Sequence, residues 1–221
     1  MKIFHSILCF SIMLVFTACL NYEQDVNLHP DGSGRMKIEY WMKFPDTERR
    51  DLTDNLGIFN PDSIRNEFTS SHSKVENVEV YVDSIDTTTH AIVEFSFDRI
   101  DSLNNTKMFA DSKFRFNEET SGQIVFSQNI SPIATGFGID ADNFKVTYRY
   151  TLTGTIISNN AHQVEDNTLT WNYSLADIGT GKSINVTFKP FKLEKTPDWI
   201  YMLSGTVLVL VIFFLFRRKR G

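Results

Sequence analysis

From Tyr22 to Leu28 the chain alternates weakly, with Tyr22, Val26 and Leu28 on one side, and "HPDGSG" then offers Pro30, Asp31 and Gly32 for a tight turn. "RMKIEYWMKF" alternates strictly, with Met36, Ile38, Tyr40, Met42 and Phe44 set against Arg35, Lys37, Glu39 and Lys43. A period of two over that length predicts a half-buried antiparallel strand. The period then changes. Asp46 caps a predicted helix with Leu52, Leu56 and Phe59 on one face and Gly57 near its end. Asn60 and Pro61 start a second helix, which carries Ile64 and Phe68 four apart. Alternation resumes at Val78, Val80 and Val82, turns at "DSIDTTTH" and returns with Ala91, Val93, Phe95 and Phe97. A short helix over 98–107 would bury Ile100 and Leu103, and "KFRF" with "QIVFS" makes a hairpin around "NEETSG".

Beyond the apolar loop "NISPIATGFGIDADN", Phe144, Val146, Tyr148, Tyr150 and Leu152 alternate cleanly. "TLTWNYSL" and "SINVTFKPF" follow, with Leu169, Trp171, Tyr173 and then Ile184, Val186 and Phe188 inward. No internal repeat or linker divides this stretch. The pattern predicts one α+β domain of mostly antiparallel strands with two to three short helices.

Both ends of the chain are apolar, each in its own way. Residues 1–18 read as a signal peptide: Lys2, then "IFHSILCFSIMLVF", then the small residues Thr17 and Ala18 before Cys19. A cysteine at that point resembles the bacterial lipobox, in which the thiol is acylated and becomes residue one; an uncleaved signal anchor is the alternative. Residues 199–216 run for 18 positions without a charge, about 27 Å of helix at ~1.5 Å per residue, and "RRKR" follows. The expected layout is an exported domain over 19–197, a transmembrane helix over 198–216 and a basic cytoplasmic tail over 217–221. The domain then sits outside the bacterial plasma (inner) membrane, held through Cys19 and through a single span.

Composition removes several functions. Only Cys9 and Cys19 occur, so loss of residues 1–18 leaves no disulfide. Residues 20–197 hold 17 Lys and Arg against 26 Asp and Glu, a net charge of −9, which gives nucleic acid no footing. "ADIGTGKS" (176–183) imitates a phosphate loop, but "INVTFKPF" after it reads as a strand, where nucleotide binding needs a helix N-terminus. "GFGIDA" (136–141) fails as a dinucleotide fingerprint for the same reason. His29, His72, His90 and His162 lack a partner at metal-ligand spacing, and "DAD" (140–142) lacks the remaining ligands of a calcium loop. No "GxSxG" elbow occurs. We expect no metal, no cofactor, no nucleotide and no enzymatic activity.

The lipobox cysteine, "VNLHPDGSGRMKIEY", "VEFSFDRIDSLN", "YTLTGTIISNNAHQVEDNTLTWNYSL" and the C-terminal apolar helix together resemble the LppM-type bacterial lipoprotein domain family. That resemblance implies an α+β domain at a membrane surface and, in one branch of the family, binding of lipid-like molecules; it implies no catalytic residue. The expectation that follows is an apolar pocket beneath the loop, lined by Ile133, Phe137 and Ile139 from the loop and by Tyr148, Tyr150 and Trp171 from the sheet. Its partners would be membrane lipids, as anchor and as ligand. The alternative is a scaffold subunit that presents the domain to another envelope protein.

Overall fold

The structure is a computed structural model and describes residues 20–44, 47–119, 121–132, 144–179, 181–191 and 198–218. Leu20–Leu28 (β1) and Gly34–Lys43 (β2) form the expected hairpin. Its turn is closed by Asp31, whose carboxylate accepts from Ser33 N at 3.0 Å and Ser33 Oγ at 2.7 Å. Gly34 is obligatory: a Cβ there would stand 2.2 Å from the Asn27 carbonyl oxygen.

Thr47–Leu56 (α1) and Pro61–Phe68 (α2) follow. Asn60 caps α2 by accepting from Asp62 N and Ser63 N, both at 3.0 Å, and Ile64 and Phe68 are buried as their spacing requires. The face expected for α1 is only partly right. Gly57, at φ 71°, takes the chain out of the helix, so Phe59 reaches the core from the following turn while Leu56 stays 60% exposed. Asp46 lies outside the described residues.

Ser73–Val82 (β3) and Thr88–Phe97 (β4) pair antiparallel, with a bulge between Val75 and Asn77. Ala91, Val93, Phe95 and Phe97 point inward along β4, but Val82, near the end of β3, is 54% exposed rather than inward. The helix expected over 98–107 is a 3₁₀ turn, Ile100–Asn105, and it buries Ile100 and Leu103. Arg115–Glu118 (β5) and Ile124–Ile130 (β6) make the second hairpin. Then come Lys145–Leu152 (β7), Gly154–Asn159 (β8), Gln163–Glu165 (β9), Thr168–Ser174 (β10), the single turn Leu175–Ile178 (α3) and Lys182–Pro190 (β11).

These strands make two sheets, where one sheet under a loop was expected. Seven strands run in the order β3-β4-β2-β1-β7-β10-β9, and four in the order β5-β6-β11-β8. All pairings are antiparallel except that of β1 with β7. The chain changes sheet between Leu152 and Gly154, where a Cβ on Gly154 would lie 2.5 Å from the Lys189 carbonyl oxygen. It changes back between β8 and β9 and once more between β10 and β11. The link between β10 and β11 therefore crosses from one sheet to the other.

The inner faces of the two sheets meet in one core. Phe126 of β6 lies 4.9 Å from Tyr150 of β7, ring to ring, and Tyr150 meets Trp171 of β10 edge-on at 6.0 Å. Burying such rings between two sheets is what stabilises this arrangement.

The chain divides into two compact units, Met1–Pro190 and Phe191–Gly221. In the second, Asp198–Arg218 (α4) is one helix of 21 residues. Among the described residues no helix is long and apolar enough to cross a membrane. The side chains of α4 are described only as far as Ile212, short of the end of the uncharged run at Phe216. The helix is present; that it crosses a membrane is an expectation from the sequence alone.

Candidate functional site

A partly open cleft of about 260 Å³ lies against the inner face of the seven-stranded sheet. Three strands make its floor, and their register decides which side chains reach it. Tyr22 stands opposite Tyr40 and Gln24 opposite Ile38 across β1 and β2, while Gln24 is level with Tyr148 across β1 and β7. All five line the cleft. One wall is the end of β6, with Gln128, Asn129, Ile130 and then Ser131. The other is Phe68 of α2 together with Met108, Phe109, Asp111 and Ser112.

The two walls are tied to each other. Asn129 N donates to Ser112 O at 2.6 Å, and Asn129 Nδ2 donates to Asp111 O at 3.1 Å. The 108–112 segment is thus fixed to the smaller sheet. On the floor, Tyr40 Oη donates to Ile58 O at 2.5 Å, which draws the turn after α1 toward β2.

A directed chain of hydrogen bonds joins the sheets beside this cleft. Tyr22 Oη donates to Gln24 Oε1 at 2.9 Å, Gln24 Nε2 to Tyr150 Oη at 2.9 Å, and Tyr150 Oη to Gln128 Oε1 at 2.6 Å. Gln24, Tyr150 and Gln128 are 1%, 0% and 3% exposed, so each polar atom there needs a partner, whether a protein group, a ligand or water in the cleft. Among the described residues Gln128 Nε2 and the hydroxyl of Tyr148 have none. Burial pushes the phenols of Tyr22, Tyr148 and Tyr150 well above the ordinary tyrosine value, with neighbouring phenols adding to the effect. All three stay neutral. Among the described residues the cleft is lined by one ionisable carboxyl, Asp111 on its exposed rim, and by no cation.

The expected site residues divide accordingly. Tyr148 lines the cleft. Tyr150 and Trp171, both 0% exposed, are core: Tyr150 supports the cleft through Gln128, and Trp171 donates its indole N–H to Asn160 O at 3.1 Å and Asn160 Oδ1 at 3.0 Å. Cys19, Ile133, Phe137 and Ile139 lie outside the described residues, as do "GFGIDA" and "DAD". Gln24 and Gln128 were not anticipated. Their signal was a polar residue on an inward-facing phase, Gln24 between Tyr22 and Val26 and Gln128 between Phe126 and Ile130.

Two other constellations carry less. Gly181, Lys182 and Ser183 border a polar depression of about 570 Å³ with His162 and Asn160. β11 starts at Lys182, so the turn leads into a strand and its N–H groups do not converge as at a helix start. On the outer face of the larger sheet His90 is stacked between Trp41 and Tyr81, with ring centroids 5.4 and 4.8 Å away. Its Nδ1 is 3.2 Å from Glu39 Oε1 and its Nε2 is 2.8 Å from Thr88 Oγ1, the order of a nucleophile relay. Thr88 Oγ1, however, donates to Asp86 Oδ1 at 2.6 Å, so its proton points away from the imidazole, and neither cleft described here reaches it.

No protein-family model matches the sequence, and no curated protein sequence matches it. Among solved structures the chain is similar to the folded domain of LppM from Mycobacterium tuberculosis, determined by NMR. The two are 12% identical with a TM-score of 0.47, over 84% of this chain and 96% of that one.

Proposed function

We propose that this chain is a non-enzymatic envelope domain, tethered at the outer face of a bacterial plasma membrane, that binds a hydrophobic or lipid-like ligand. The observation that carries the reading is the cleft on β1, β2 and β7. Most of its exposed lining is apolar, its polar groups apart from Asp111 on the rim are neutral, and its volume falls just under the roughly 300 Å³ at which small-ligand pockets begin. A chain segment fits such a space; a whole two-chain lipid does not. The tether rests on the sequence, through the lipobox-like "FTAC" and the uncharged run 199–216.

Mass spectrometry of organic extracts from the purified protein tests this. A bound amphiphile, lost when Ile38 or Phe109 is replaced by Asp in a protein that still folds, is the expected result. A protein that comes out empty and crosslinks to one envelope partner refutes ligand binding and favours a scaffold. The observation behind that second reading is the outer face of the larger sheet, where Tyr81 is 38% exposed beside His90 and Trp41.

A further inference from the structure

The three hydrogen bonds of the chain, the last of which crosses from the larger sheet to the smaller, all run the same way. Tyr22 donates to Gln24, Gln24 to Tyr150 and Tyr150 to Gln128, so Gln128 accepts a hydrogen bond from the chain and donates none within it. Its amide nitrogen is the donor end of the chain. Gln128 is 3% exposed, lines the cleft, and gives neither N–H of that amide to any protein acceptor among the described residues. Tyr148, 8% exposed, lines the same cleft from the opposite sheet and likewise gives its hydroxyl to no described group. A buried donor without an acceptor is costly, and two donors facing one cleft specify what should occupy it.

The charges narrow the ligand further. Among the described residues no Lys, Arg or His lines the cleft, and the ionisable group on its rim is the Asp111 carboxyl. An anionic headgroup would meet no counter-charge there and would approach a carboxylate. A cation would find one exposed carboxylate and otherwise donors of the wrong sense. A neutral oxygen acceptor satisfies both free donors, and the apolar remainder of such a molecule matches Ile38, Phe68, Phe109 and Ile130.

We infer that the cleft holds an uncharged amphiphile by an ester or amide carbonyl oxygen, which accepts from Gln128 Nε2 and from the hydroxyl of Tyr148. This rests on the cleft being a ligand site, as proposed above. Tyr22, Gln24 and Tyr150 act through Gln128: they hold its amide with the oxygen turned toward Tyr150 and the nitrogen left for the ligand. The cleft selects against both charged headgroups and bare hydrocarbon.

The test compares three photoreactive probes of equal chain length on the full chain held in amphipol: a monoacylglycerol, a fatty acid at pH 7.4 and a hydrocarbon without oxygen. Adducts are mapped to peptides by mass spectrometry. The ester should label 108–112 and 128–131 at concentrations roughly five- to tenfold below those needed by either other probe, as expected for a neutral hydrogen bond in a partly shielded cleft. Tyr148→Phe removes a hydroxyl without a described protein partner, so the thermal midpoint should hold while the ester's advantage over the hydrocarbon falls severalfold. Gln128→Met should abolish that advantage. Equal labelling by ester and hydrocarbon, preference for the fatty acid, or an ester advantage unchanged in Tyr148→Phe overturns the inference and leaves the cleft as a ligand site. Absence of labelling at the cleft by any probe overturns the cleft reading itself.

Discussion

Replacing Tyr150 by Phe removes one oxygen atom and leaves the ring against Phe126 and Trp171. The hydroxyl lost is the only link in the polar chain between Gln24 of the larger sheet and Gln128 of the smaller one. Gln24 Nε2 loses its acceptor and Gln128 Oε1 its donor, and a buried polar group left without a partner costs about 1–3 kcal/mol. Both glutamines border the cleft, where water can reach them in part, which puts the sum near the low end, about 2–3 kcal/mol. Replacing Gln24, Tyr150 and Gln128 by apolar residues of similar shape, with Gln24→Leu, Tyr150→Phe and Gln128→Leu together, newly leaves only the Tyr22 hydroxyl without its partner, and Tyr22 is partly exposed. The triple variant should therefore lie within about 1 kcal/mol of the parent and be more stable than the single one. Urea unfolding of the unit that ends at Pro190, read as a midpoint shift at constant slope, measures both. A loss under about 0.5 kcal/mol in Tyr150→Phe, or a triple variant weaker than the single, would show that the network is not the tie described here.

Three further outcomes follow from other parts of the chain. Asp31, Asp86, Asp101 and Asp177 accept hydrogen bonds from Ser33, Thr88, Arg99 and Ser174, which hold their carboxyl pKa values below the usual one. A depressed folded-state pKa adds stability that is complete above the ordinary value near 4 and is lost as pH falls through the folded values. The thermal midpoint should be level from pH 5 to 7 and fall below about pH 4; a rise on acidification would contradict this. Lys182→Ala changes an exposed residue and should shift stability by no more than about 0.5 kcal/mol, with no ATP affinity before or after; affinity that disappears with Lys182 would reverse our reading of the turn. Cys19→Ala should abolish palmitate labelling yet leave the protein in the membrane fraction through residues 199–216, and its release into the soluble fraction would exclude a spanning helix.

Where parity is strict the fold could be read from the sequence. β2, β4 and β7 have their inward residues on every second position, and Asn60 followed by Pro61 marks the start of α2 by a cap and a residue that needs no N–H. Parity names a face and not a neighbour, so nothing in "NYEQDVNL" revealed that its second partner would be β7, in parallel. β8 and β9 escaped for a different reason. Ile156 and Ile157 are adjacent and break the period, with Ile157 48% exposed, and the three residues of β9 are all exposed on a sheet edge. The aromatic residues proposed for a pocket were picked for size, which does not separate a cleft wall such as Tyr148 from a core ring such as Trp171. The glutamines carried the better signal, because a polar side chain on a buried phase must be satisfied by something.

The parallel pairing of β1 with β7 bears on how the molecule is made. Residues 20–28 can zip onto β2 as soon as 34–43 are available, since only a tight turn separates them. The other edge of β1 has to wait for residues 145–152, and until then it presents unpaired N–H and C=O groups. During synthesis or transport from the N-terminus this is a central strand with one side bare through most of the chain's emergence. Contacts of such long sequence separation slow folding, because the loop between them is closed before the pairing repays it. We expect a refolding chain to show early protection of β1 amides that face β2 and late protection of those that face β7, so that a single strand reports both the first and the last steps of assembly.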